Sequence, residues 1–396
     1  GHAVVERAEA VFKDPTVVGM VYLDGKGLSK SRRVPFIGRL VDHDTPLLAS
    51  TGRELAALAG ALDHAELTLR AHHGIELSLS AKLHRKLSEG TALRHILAQP
   101  DTTSMLMDYL PEKPGALGRW SIDPVALNHA IEAFFGKPHR QRIDLVRGLV
   151  AAALGGGKLE TDILPRFGPE MLMSLSDDGR AVDNGRLEGL VVPAVDLLVQ
   201  NRGPAAFTSK VDQLLRRYMG LLALMTTLKN DDDATRAAFY LDIHRNVPVG
   251  YLSIKGHANP LGSLLEPAWC FVDKGFVTST DRRRIQRVID RRKTPDRDNV
   301  LPTVLEKLDP NVGFVYCHGP SAAAMLRRNI PALARHDVDD DAPDYAEAMA
   351  ASKRKYAERI DSAELLDYVL FTGTKLDDGF RWSLTVRSTK PLRRTE

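Results

Sequence analysis

The sequence predicts an α+β fold in which a strand, one or two helices and an antiparallel hairpin recur in tandem, giving mostly antiparallel sheets with helices packed on one face. Three observations carry this expectation. The stretch "DPTVVGMVYLDG", Asp14 to Gly25, returns as "DPNVGFVYCHG", Asp309 to Gly319, with seven of eleven aligned positions identical across one gap. After each copy the apolar spacing is helical, and after each helix it changes to strict alternation. Such a match could arise by chance in a chain of 396 residues; the colinear hairpin behind each copy gives it weight.

In the first unit, Val17 to Leu23 reads as a strand and Arg53 to Leu62 as a helix capped by Thr51, with Leu55, Leu58 and Leu62 on one face. Leu67, Leu69 and Ala71, then Ile75, Leu77 and Leu79 beyond the turn His72-His73-Gly74, alternate as a hairpin does. Its polar partners Thr68, Arg70, Glu76 and Ser78 are expected to face solvent. In the last unit, "VGFVYC" precedes helices at 321–328 and 344–360. A hairpin follows, turning at Asp377-Asp378-Gly379, with Phe380, Trp382, Leu384 and Val386 alternating against Arg381, Ser383, Thr385 and Arg387.

Two weaker copies are expected between them. One starts with a strand at Pro100 to Leu110 and continues through helices at 124–135 and 139–154 to the alternating Met171, Met173 and Leu175. The other starts with "EGLVVPAVDLLVQ" and continues through a helix at 204–228 to strands near 238–243, 249–254 and 269–280. The polar run Ser176 to Arg186 sets the expected boundary between two domains, 1–180 and 181–396. Paired glycines, Gly19 with Gly313 and Gly25 with Gly319, read as places where a strand begins and where it leaves the sheet.

Three segments resemble a family of uncharacterised bacterial exported proteins, a domain of unknown function built from tandem α+β repeats: "LETDILPRFGPEMLMSLSDDG", "WCFVDKGFVTSTDRRRIQRVID" and "ELLDYVLFTGTKLDDGFRWSLTVRS". The resemblance implies an extracytoplasmic location, periplasmic or at the cell surface, and no assigned activity. The chain begins Gly-His rather than Met, which is consistent with an upstream signal or anchor having been removed.

Composition excludes some classes. With 43% hydrophobic and 27% charged residues the chain is globular. Its 54 Lys and Arg against 51 Asp and Glu give a dispersed +3, so no nucleic-acid partner is expected. No apolar run approaches the roughly 20 residues a membrane-crossing helix needs. Cys270 and Cys317 read as small core residues, with a bridge between them left open in an oxidising compartment.

No local signature of catalysis occurs: no His-Glu-x-x-His, no Gly-x-Ser-x-Gly, and no Gly-x-Gly-x-x-Gly after a strand. Ser352-x-x-Lys355 lies in a charged helix without the companions such a site uses. "GGGK" at 155–158 reads as a helix end and link. The acidic runs 230–235 and 336–347 read as solvated loops, since Ala342 and Ala348 stand where a calcium loop needs Gly and Glu. Asp341 or Asp344 is expected to cap the helix that follows. His64, His72 and His73 cluster at the first hairpin, but neighbours in a strand face opposite ways, so no metal site is expected there, and no cofactor.

The most charged helix, Thr280 to Lys293, has seven cations against two acids and an apolar stripe of Ile285, Val288 and Ile289. Arg282, Arg283, Arg284, Arg287 and Arg291 are expected largely to face outward, as a surface for an anionic partner such as an envelope protein or lipid headgroups. The leading expectation is a non-enzymatic binding or scaffold protein of a bacterial envelope. The alternatives are a carrier of a lipid-like ligand in a pocket beside Met219 to Met225, and an enzyme with dispersed residues.

Overall fold

The computed structural model of the chain describes residues 11–24, 39–42, 45–72, 74–84, 87, 91–97, 106–110, 114–135, 140–153, 157–182, 188–229, 235–256, 266–293, 303–308, 313–339, 344–376 and 378–389. Among the described residues thirteen strands form one open sheet in which every pairing is antiparallel, in the order β1-β2-β3-β13-β12-β11-β4-β5-β6-β10-β9-β8-β7. The α+β expectation holds at this level.

The left of the sheet is β1 (Val17–Asp24), β2 (Leu62–His72) and β3 (Gly74–Leu83), with α1 (Pro46–Ala61) between β1 and β2. Helix α1 starts earlier than the Thr51 cap predicts, because Pro46 takes the first turn, where its missing N–H is no loss. A short α2 (Ala92–Leu97) follows, its first amides bound by Glu54. Within the strand expected at 100–110, residues 106–110 are not strand. Leu106 to Leu110 form a single 3-10 turn around Met107–Tyr109, with Leu106 and Leu110 in the core. The strand is instead β4 (Ala116–Ser121), ahead of α3 (Pro124–Phe135) and α4 (Arg140–Ala153). Of the expected strand, residues 100–105 lie outside the described ones.

A π-helical turn (Leu159–Ile163) leads into β5 (Phe167–Ala181), which pairs with β6 (Val191–Asn201). The long α5 (Ala205–Lys229) crosses to the meander β7 (Thr235–His244), β8 (Val247–Gly256), β9 (Ala268–Val272) and β10 (Gly275–Ser279). The strand expected over 269–280 is thus two, turning where Asp273 takes a positive φ of 24°. Next come α6 (Arg282–Lys293) and α7 (Thr303–Glu306). The last unit is β11 (Gly313–His318), α8 (Gly319–Asp337), α9 (Tyr345–Ala363), β12 (Leu366–Leu376) and β13 (Gly379–Ser388). His318 caps α8, its Nδ1 lying 2.7 Å from the Ser321 hydroxyl and 3.3 Å from the Ser321 amide.

Residues on the two sides of position 180 share this sheet, since β13 pairs with β3 and β11 with β4. The expected halves therefore interleave. Helices lie on both faces rather than on one. Leu58 of α1 packs with Ala65, Ala81, Phe380 and Trp382, whereas Ile285, Val288 and Ile289 of α6 pack with Leu117, Leu172, Leu198, Val277 and Phe314. Register places these two sets on opposite sides: Trp382 is opposite Gly373, Gly373 is opposite Gly313, and Phe314 is one residue further along. Cys270 in β9 and Cys317 in β11 are unbridged. Five strand spacings, about 24 Å, separate the two strands, far beyond the roughly 7 Å a disulfide can span between Cα atoms.

Candidate functional site

The arginine-rich helix is docked on the sheet. Arg284 is buried, and its Nη2 and Nε donate to Asp196 Oδ2 at 2.6 and 3.1 Å; the Ser174 hydroxyl donates to the same oxygen at 2.8 Å. This arginine therefore does not belong to an outward surface. Asp281 caps the helix: its Oδ1 accepts from the Arg283 amide at 2.9 Å and its Oδ2 from Arg283 Nη2 at 2.5 Å. Burial raises the Asp281 pKa, but the Arg283 bonds and the Arg180 charge outweigh it, and the net result is below the ordinary carboxylate value. Arg282 lies over the Tyr251 ring at 4.5 Å and 3.7 Å from Asp242. Arg283 and Arg287 are exposed and Arg291 half-exposed. Of the five expected residues, one is in the core and two are tied to acids or rings at the helix start.

On the same side, Glu170 is fully buried, accepts from the Leu106 amide at 3.0 Å and lies 3.5 Å from the Arg119 guanidinium. Asp196, Glu170 and Arg119 sit inside strands whose other inward residues include the apolar Leu117, Leu172 and Leu198 and the buried polar Ser174, Ser176 and Gln200. Ion pairing is what makes their burial tolerable. These contacts tie α6 and the Leu106 turn to the sheet.

The opposite side of the sheet carries a continuous apolar row. Leu69, Leu77, Leu384, Phe371 and Val315 lie opposite one another in adjacent strands, followed by Gly118, Met173 and Leu197. Apart from the glycine, each is between 36 and 42% exposed. The row crosses eight strands, about 34 Å at the usual spacing. At Gly118 the Trp120 indole folds over the backbone: a Cβ there would stand 2.5 Å from Trp120 Cη2. The solvent expectation for the first hairpin is thereby inverted in part. Thr68 and Ser78 are buried, while Leu69 and Leu77 look outward.

Helix α5 adds apolar surface next to the right end of this side. Trp269 Nε1 donates to Asp212 at 3.1 Å and holds the helix down, and Tyr218, Leu221, Leu222, Leu224 and Met225 point away, 38 to 60% exposed. A wide, open groove of about 320 Å³ lies elsewhere, over β2, β3 and β13, among Thr16, Arg70, Glu76, Tyr368, Thr385 and Arg387. Its charges are matched: Arg70 is 3.2 Å from Glu76 and 3.5 Å from Asp14, and Arg387 is 3.7 Å from Asp367.

Sequence reading missed one group of metal-ligating type. His129, Glu132 and Glu160 bring one ligand atom each within 4.8 Å of one another, and the His95 ring stacks on His129 at 5.5 Å. The i,i+3 spacing of His129 and Glu132 was legible, but Glu160 arrives only through the π turn. The arrangement could hold a divalent ion, but the positive charge there now comes from Arg147, which bonds Glu132 and also donates to Asn128 Oδ1 at 3.0 Å. Asn128 in turn donates to Glu160 at 2.9 Å. His64 pairs with Asp63 and stacks on Tyr22. The side chains of His72 and His73, and residues 154–156, 230–234 and 340–343 of the linker and acidic runs, lie outside the described ones. Asp344 takes the N-cap position of α9 without a side-chain capping bond.

Other displaced pKa values have local causes. Burial, with the Asp367 carboxylate adding, pushes Tyr316 up to about 12, and burial raises the Cys317 thiol. The Tyr356 hydroxyl, donating at 2.7 Å, lowers Asp337.

Fold and surfaces define an α+β protein with a single open antiparallel sheet, one side of which carries the ion-paired core and an open charged groove while the other exposes an apolar row. No family model, curated protein or solved structure matches the chain.

Proposed function

We propose that this protein is a non-enzymatic binding or scaffold module of a bacterial envelope, and that its binding surface is the apolar row from Leu69 to Leu197. The row carries the proposal. A soluble surface rarely leaves so long an apolar stripe uncovered unless something docks there. Its roughly 34 Å matches an amphipathic helix of about 22 residues at 1.5 Å per residue, laid across the strands with its apolar face down. The envelope location rests on the resemblance of the three quoted segments; recovery of the native protein in a cytosolic fraction would end that part of the reading.

Tandem duplication accounts for the architecture. Gly19 lies opposite Leu69, three residues before the end of β2 at His72, and Gly313 opposite Gly373, three residues before the end of β12 at Leu376. Leu69 then faces Leu77, and Gly373 faces Trp382, which makes Leu77 and Trp382 equivalent positions. One residue on, the equivalent Ser78 and Ser383 lie opposite each other where β3 meets β13. A local twofold axis relating the two units requires such a pair.

The test is a Phe371→Glu, Leu384→Glu double variant. A protein retained by the wild-type chain from envelope extract, identified by mass spectrometry and rebound in purified form, should lose at least about tenfold in affinity, as truncation of central apolar anchors does. Unchanged affinity, with the fold intact by circular dichroism, would sink the assignment of this face.

A further inference from the structure

We propose that β1 is a self-association edge: its outer side pairs antiparallel with β1 of a second copy, continuing the sheet across a twofold axis. The inference rests on the repeat reading above and goes beyond it to a different surface.

The strand equivalent to β1 is β11. β11 stands first in its unit as β1 does, shares the Gly, Val and Tyr of Gly19, Val21 and Tyr22 at Gly313, Val315 and Tyr316, and pairs on its inner side with the following hairpin in the same register. On its outer side β11 pairs antiparallel with β4, with Val315 opposite Gly118 and Tyr316 opposite Leu117. β4 is also a strand that precedes helices and a hairpin. Within the chain, then, one first strand closes against another. Among the described residues, β1 pairs with β2 alone.

Composition separates the two edges of the sheet. Natural proteins blunt free edges with charge, proline or short length. β1 has no proline and a single charge, Asp24 at its last residue, and Val18, Val21 and Leu23 are 58, 52 and 45% exposed. At the other edge, β7 carries Arg236, Asp242 and His244 in its ten residues. With no charge before its last residue, the body of the strand offers no ion pair with which to select a different partner. An antiparallel pairing with its own copy is isologous and stops at two.

The experiment uses the full chain at a series of concentrations, with sedimentation velocity for mass and hydrogen exchange for individual amides. The expected result is a monomer–dimer equilibrium in which protection of the β1 amides rises with dimer fraction and that of β7 does not. Val21→Lys places like charges near one another across the axis and should raise the dissociation constant at least about tenfold, with the circular dichroism spectrum and melting temperature unchanged. A monomer at every concentration overturns the proposal, whether β1 exchanges freely or is protected by another part of its own chain. So does a dimer whose protection appears at β7. Should Val21→Lys fail to fold, the wild-type exchange pattern still decides. Neither failure touches the apolar row, which Phe371 and Leu384 test separately.

Discussion

Arg284 and Asp196 form a buried ion pair that joins α6 to β6, with Nη2 and Oδ2 2.6 Å apart and both side chains almost wholly removed from solvent. Arg284→Met leaves the Asp196 carboxylate buried without its cation, and should destabilise the protein by about 3–5 kcal/mol. Adding Asp196→Leu to that variant should recover most of the loss, because no uncompensated charge then remains. Urea denaturation of the two variants makes the comparison. Equal stability of the single and double variants would show that the pair does not carry this energy.

Asp281 gives the fold an acid dependence. Its pKa in the folded protein is below the ordinary 3.8, so the folded state binds this proton less readily than the unfolded one. The stability this supplies is fully present above the unfolded value and is lost as pH falls through the folded value. Asp281→Asn should therefore be less stable than wild type at pH 7 and closer to it at pH 3. A stability difference independent of pH would contradict the assignment.

Gly319 sits where β11 gives way to α8, and a Cβ there would stand 2.0 Å from the Leu366 carbonyl oxygen. That oxygen belongs to the backbone of β12 and cannot step aside as a side-chain tip could. Gly319→Ala should lower stability by about 1–3 kcal/mol, the usual range for forcing extra volume into a packed site. At Gly148, where a Cβ meets nothing within 4 Å, the same change should be neutral or slightly stabilising, since the position is helical. Thermal melts of the two variants separate crowding from backbone freedom.

Arg147 fills the place a cation would take beside Glu132. Removing it by Arg147→Met frees His129, Glu132 and Glu160 to bind zinc. Zinc should then raise the melting temperature of the variant more than that of wild type, as ligand linkage requires. An equal response of both proteins, or of neither, would show that the three ligands do not converge in solution.

Much of the secondary structure was legible. Both outer hairpins follow from strict alternation, and the helices from α3 to α6 from their spacing and flanking turns. In the strand expected over Pro100 to Leu110, the described part, Leu106 to Leu110, misled because a short apolar segment reads alike as a buried strand or a buried turn; Leu106 and Leu110 fill the core from the 3-10 turn, and the six residues of β4 pair in the sheet. Arg284 had a signal that went unused: it lies four residues before Val288, on the apolar stripe, and an isolated Asp196 in "VVPAVDLLVQ" was its buried counterpart.

The surfaces were less legible. Alternation says that Leu69 and Thr68 face opposite ways, but not which way is inward, because that depends on what packs against each side of the sheet. The sequence by itself determined the period of the hairpins and long helices, their turns, and the recurrence of one strand motif near both ends, since these rest on neighbouring residues and local backbone preference. Only the tertiary structure decided that β3 meets β13 and β11 meets β4, that arginines on one helix divide between core and surface, and that an apolar row is left uncovered. Those outcomes depend on contacts between residues up to some three hundred positions apart, such as Glu76 and Ser383, and no local pattern encodes them.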